Sequence, residues 1–183
     1  MSERMIVQHC SPTLAGMKTG NLFLCPFESN EDMLGFVRRL NKTLSEKGLR
    51  VLPLRNENCR TLIYVYRMSH LSRDLQHDKA RQMLLERGYT CETAERCLAQ
   101  LIRRLCENGE FPHEIGLFLG YPPEDVSGFI ENKACGCKYV GEWKVYGDAE
   151  AARIKFDRFR KCTQAYRRQF EKGKTIECLA VAG

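Results

Sequence analysis

The sequence contains no apolar run approaching the ~20 residues that span a bilayer, so no membrane partner is expected. Its opening, Met-Ser-Glu-Arg, does not read as a signal peptide, and a cytoplasmic setting follows as the expectation. There is no internal repeat and no low-complexity tract, which argues against a solenoid or a disordered chain. No Cys-x-x-Cys and no His pair accompanies the one close cysteine pair, Cys135-Gly-Cys137, so the usual four-ligand frame of a structural zinc site is missing.

What is present is an ordinary globular balance, with 43% apolar and 28% charged residues in 183. A chain of this length buries roughly 70% of its unfolded surface and needs no staples. One domain spanning residues 1–183 is expected. The ten cysteines could suggest a disulfide scaffold, but the length and the opening point to reduced thiols in a cytosol. A net charge of +6 leans toward anionic partners without specifying one.

Read in order, Pro12–Met17 suggests one short helical turn or loop, closed by Gly16 and Gly20, and 21–27 a strand with Pro26 at an edge. Ser29 caps a helix with Met33, Phe36, Val37, Leu40 and Leu44 on one face, and Gly48 stops it. Residues 49–55 and 60–67 flank Asn56–Cys59 as a hairpin, and Thr61–Tyr66 suits a central strand. Helices are expected over 69–87 and 93–107, the second ended by Gly109, then over 112–119 and 123–131. Trp143–Tyr146 reads as a strand. Asp148 caps a long last helix, and 175–181 suggests a returning edge strand. The fold class is α+β, a small mostly antiparallel sheet packed against several helices.

Three segments, His9–Phe23, Phe111–Asn132 and Lys138–Asp148, together resemble the bacterial family catalogued as domain of unknown function 3793, found mainly in anaerobes. The resemblance covers almost the whole chain and implies that the three segments converge. It brings no activity, cofactor or catalytic residue.

The chemistry must therefore come from residues. Ser11-Pro12 could open a short helix, which would put Cys10 at a positive dipole end that favours a thiolate nucleophile. His113 is the candidate base; His9 is less suited, because adjacent side chains in an extended segment diverge. A polar and aromatic set, Glu114, Tyr121, Lys138, Trp143, Lys144 and Tyr146, with Lys18 as a further cation, suits a pocket for a small anionic ligand. Cys135-Gly-Cys137 could bind a soft metal only with a distant partner such as Cys10 or Cys178, so no metal ligand is assigned.

Residues 114–126 have the outline of a helix-turn-helix. Glu124, Asp125 and Glu131 would face phosphates there, and Gly128 weakens the second helix, so a structural corner is expected. The last helix carries a basic face of Arg153, Arg158, Arg160, Arg167, Arg168 and Lys172, interrupted by Asp157. The leading expectation is a small-molecule or cofactor-binding protein of unspecified cofactor, with a thiol-dependent enzyme as its sharper form. The alternatives are a module docking a protein or nucleic acid, with nucleic acid disfavoured by charge, and a metal-handling protein. Oligomeric state is left open.

Overall fold

The computed structural model describes residues 3–57, 60–107 and 111–183. The expected turn residues Asn58 and Cys59 and the expected helix stop Gly109 lie outside them. The chain is α+β, and it falls into two compact units. One unit comprises Met1–His70 with Lys161–Gly183; the other is Leu71–Arg160.

The first unit is built on a three-stranded antiparallel sheet of β1 (Gly20–Pro26), β2 (Leu49–Glu57) and β3 (Arg60–Arg67), in the order β1-β3-β2. β3 is central, as its β-branched and aromatic run dictates, and Pro26 ends the edge strand β1. The pairings Phe23↔Ile63 and Val51↔Val65 set one row of side chains on one face. That face is covered by α1 (Glu3–Leu14) and α2 (Asn30–Leu44) through Ile6, Val7, Cys10, Leu14, Phe36 and Leu40. Ser29 caps α2 by accepting from the Asp32 N–H at 3.1 Å. A 3₁₀ turn, Ser45–Lys47, follows and ends on Gly48 at φ 75°. The Asn41 side chain both donates to and accepts from the Val51 backbone at 2.8 Å, docking α2 along β2.

Two sequence expectations fail in this unit. Residues 12–17 are not a separate turn: α1 runs through Pro12, because Ile6, Val7, Cys10 and Leu14 already form a core-facing stripe. Pro12 lacks the N–H that would reach the Gln8 carbonyl, but Gln8 sits on the exposed side of the helix. The segment 175–181 is not a strand either. Thr175 accepts from the Cys178 N–H at 3.4 Å and starts a single helical turn, α9 (Ile176–Leu179), which buries Ile176 and Leu179 in the same core.

The second unit is mainly helical, with α4 (Asp78–Glu86), α5 (Ala94–Cys106), α6 (Ile115–Phe118), α7 (Pro123–Glu131) and a small hairpin of β4 (Tyr139–Val140) and β5 (Lys144–Val145). The helix expected over 69–87 is two, α3 (Met68–Gln76) and α4, broken at His77, which has an extended ψ of 130°. α5 buries Ala94, Cys97, Leu98, Leu101 and Leu105, and Thr93 caps it. α8 (Ala149–Glu171) is the long last helix, capped by Asp148 Oδ1 accepting from the Glu150 and Ala151 N–H groups at 3.0 Å. The unit boundaries fall inside α3 and α8. No described helix is long and apolar enough to cross a membrane.

Candidate functional site

The second unit holds a cavity of about 280 Å³ whose walls come from α6, α7 and the β4–β5 hairpin. Its organising residue is Asp125, in the first turn of α7 and 3% exposed. One carboxylate oxygen accepts from the Trp143 indole N–H at 2.7 Å. The other accepts from the backbone N–H groups of Tyr146, at 2.7 Å, and Gly147, at 2.8 Å. All three partners are donors, which is what an ionised carboxylate requires. The clamp therefore fixes the strand and the tryptophan ring together.

Trp143 then builds one wall. Tyr121 stacks on it at 4.6 Å, Phe156 meets it edge-on at 4.5 Å, and the Lys155 ammonium lies 5.7 Å from the ring centroid. Phe129 of α7 forms another wall, with His113 edge-on to it at 5.0 Å and the Lys144 ammonium 6.0 Å from its centroid. Lys144 also donates to the Ala134 carbonyl at 2.8 Å, leaving protons for a further acceptor. Burial, with the Glu142 charge beside it, pushes the Tyr121 hydroxyl up to about 12, so it stays a neutral donor.

The expected corner is also visible. Val126 closes onto Gly116, where a Cβ would stand 2.8 Å from Val126 Cγ2, so the helices pack at a distance only glycine permits. Gly128, which looked like a weakness in a helix, makes room for the Tyr146 ring; a Cβ there would lie 2.4 Å from Tyr146 Cγ.

Of the residues singled out in the sequence, His113, Tyr121, Trp143 and Lys144 line this cavity. Glu114 turns away: its carboxylate accepts from the Tyr89 hydroxyl at 2.9 Å and sits 3.8 Å from Arg104, beside a second hollow of about 270 Å³. Lys138 donates to the Gly147 carbonyl at 2.9 Å, and Tyr146 packs behind the hairpin. Lys18 is 6% exposed and belongs to the first unit, as does Cys10. Phe129, Val126 and Asp125 were not assigned to a site from the sequence, Val126 being read only as corner packing. Their signal was the i, i+1 and i+4 placement on α7, with Asp125 read only as an acid hostile to phosphate.

The premise behind Cys10 is corrected by its position. It lies in the last turns of α1 rather than at a helix start, and Ser11 does not cap: its hydroxyl donates back to the Val7 carbonyl. The thiol is fully buried in the core, and burial pushes its pKa far up, with Lys18 opposing only in part. We expect Cys10 to resist a thiol reagent such as Ellman's in the native protein. The shift also sets a pH dependence. The unfolded chain loses this proton above about pH 8.5 while the folded one keeps it, so stability is intact below that pH and falls above it. The slope expected from one such group is about 1.4 kcal/mol per pH unit. A urea midpoint that rises between pH 8 and 10 would contradict the assignment.

Among the described residues no group of three or more His, Cys, Asp or Glu side chains could hold a metal ion. On the basic face of α8, Arg153 lies over the Tyr139 ring at 4.8 Å and Arg160 pairs with Asp157.

No match was found among curated proteins or among solved structures. Residues 6–180 match the model of the family described as protein of unknown function DUF3793, and the chain belongs to that family.

Proposed function

We propose that the cavity in the second unit binds a small, flat molecule with an apolar body and one anionic group. The observation that carries this reading is the clamped Trp143. Asp125 holds its ring as one wall of a largely apolar, aromatic hollow that has Lys144 and His113 on one side. At about 280 Å³ the space is slightly below the range of drug-sized ligand sites, roughly 300–1,000 Å³, and suits a single-ring compound. Glu142 lies on the lining too, and its carboxylate turns the anionic end of a ligand toward Lys144.

Trp143 is the only tryptophan in the chain, so its emission reports on this cavity alone. Titration with benzoate is expected to quench it in a saturable way, while neutral benzamide binds at least tenfold more weakly. Lys144→Met is expected to remove that preference, a change of about 1.4 kcal/mol. Equal quenching by the two compounds in the unaltered protein would refute the anionic part of the reading. Absence of any saturable response to either would refute the rest.

The thiol-enzyme form of the expectation finds no support at Cys10, whose burial keeps it protonated.

A further inference from the structure

The cavity leaves unused the Cys135-Gly-Cys137 segment that joins α7 to the hairpin. Cys135 is exposed and Cys137 half-buried, unlike Cys10, Cys25 and Cys97, which are core residues. Lys133, Ala134 and Gly136 all adopt left-handed conformations, with φ of 49°, 63° and 67°. In an extended chain the α-carbons of residues i and i+2 stand about 6.8 Å apart, two strand rises. A left-handed residue between them curls the chain and shortens that separation, into the span of roughly 4.4–6.8 Å that a disulfide bridges.

The segment is pinned on both sides. Lys144 Nζ holds the Ala134 carbonyl at 2.8 Å just before it, and Lys138 Nζ holds the Gly147 carbonyl at 2.9 Å just after it. The Lys138 N–H also bonds the Val145 carbonyl at 2.8 Å, and the Cys135 N–H bonds that of Asn132 at 2.9 Å. Behind the pair stands Tyr146. Its ring is wedged on Gly128, and its hydroxyl is hidden from solvent with no hydrogen-bond partner among the described residues. Both sulfurs lie within electrostatic reach of that hydroxyl. A hidden phenol is costly to leave unpaired, and a thiolate on either cysteine would offer it an acceptor.

We propose that Cys135 and Cys137 form a redox pair that reduces the disulfides of low-molecular-weight thiols. The exposed Cys135 thiolate attacks one sulfur of the disulfide RS–SR, forming a mixed Cys135–SR bond and expelling RS⁻, which takes up a proton. Cys137, as thiolate, then attacks the Cys135 sulfur. The Cys135–Cys137 bond forms, the second RS⁻ leaves and is protonated, and the dithiol's two protons end on two RSH. The pair is oxidised by two electrons and the substrate disulfide is reduced by the same two. Tyr146 is a positioning residue that donates to the sulfur carrying negative charge.

The test uses the full-length, fully reduced protein and oxidised glutathione as the probe, with acid quenching, differential alkylation and peptide mass mapping. The expected product is an internal disulfide in the 135–137 peptide with release of two glutathiones, reversed by dithiothreitol. It should form at least tenfold faster than glutathione adds to Cys178, an exposed thiol of the same molecule. Cys137→Ser should stop at a Cys135–glutathione adduct, and Tyr146→Phe should slow exchange about fivefold with the circular dichroism unchanged. The proposal is overturned if Cys135, Cys137 and Cys178 react at one rate, or if the unaltered protein accumulates adducts without the internal bond. A rate unchanged in Tyr146→Phe removes the tyrosine from the mechanism.

Discussion

Replacing Arg67 with methionine is expected to destabilise the first unit by about 3–5 kcal/mol, a large fraction of the 5–15 kcal/mol that holds a typical domain. Arg67 ends β3 and is 1% exposed. Its guanidinium donates to four carbonyls from three separate segments. Thr13, at 2.8 Å, and Leu14, at 2.7 Å, belong to the end of α1; Lys47, at 3.1 Å, to the 3₁₀ turn; and Val181, at 2.7 Å, to the final segment. The Thr13, Leu14 and Lys47 carbonyls sit at helix ends, where the i+4 N–H of a continuing helix is missing. Methionine restores the stem volume and none of the donors. Thr13 and Leu14 keep a second donor, from Gly16 and Val181, so the loss is less than four full bonds. Arg67→Lys should lose nearly as much, because one ammonium cannot fork toward three segments. Burial lowers the Arg67 pKa, because removing the cation from water disfavours the charged form, so the carbonyls are what keep it in place. Urea unfolding followed by far-ultraviolet circular dichroism is the measurement, since Trp143 belongs to the other unit. A loss below 1 kcal/mol for Arg67→Met would show that the carbonyls find water without cost.

Asp125→Asn is expected to be the most damaging conservative change in the second unit, at about 3 kcal/mol. The carboxylate faces three donors. An amide offers one oxygen and turns its NH₂ toward an N–H, so at least one contact becomes repulsive. Trp143 should lose its fixed orientation, with a red-shifted emission, a weaker near-ultraviolet dichroism and no saturable response to benzoate. If instead the variant keeps the native emission and the benzoate titration, Asp125 is not what positions the cavity wall.

These two residues also mark where the sequence could be read and where it could not. The central place of β3, the capped faces of α2 and α5 and the Asp148 start of α8 all follow from local rules: alternation, three- and four-residue spacing, and an oxygen before a helix. α1 was missed because Ser11-Pro12 carries the pattern of a helix start, while the apolar stripe that outweighs it begins six residues earlier. The short C-terminal stretch was misread as a strand, although its three buried positions, Ile176, Leu179 and Ala180, follow the i, i+3, i+4 spacing of a helical turn.

At the site, Trp143, Tyr121, Lys144 and His113 were legible as types that bind small molecules. Asp125 was not, since its role depends on three donors supplied from residues 143 to 147, and nothing local announces such a partnership. Arg67 was invisible for the same reason. A lone arginine at a strand end reads as surface until the carbonyls of residues 13, 14, 47 and 181 are brought around it.

The division of the chain has a consequence for its synthesis. The second unit is one continuous stretch, Leu71–Arg160, while the first is split and needs residues from Lys161 onward. A ribosome therefore delivers everything the inserted unit requires while its host still lacks Ile176, Leu179 and the Val181 carbonyl that Arg67 awaits. The sheet of the first unit is thus sealed only after the second unit has been made, and Arg67 gains its Val181 partner only once that residue has left the tunnel.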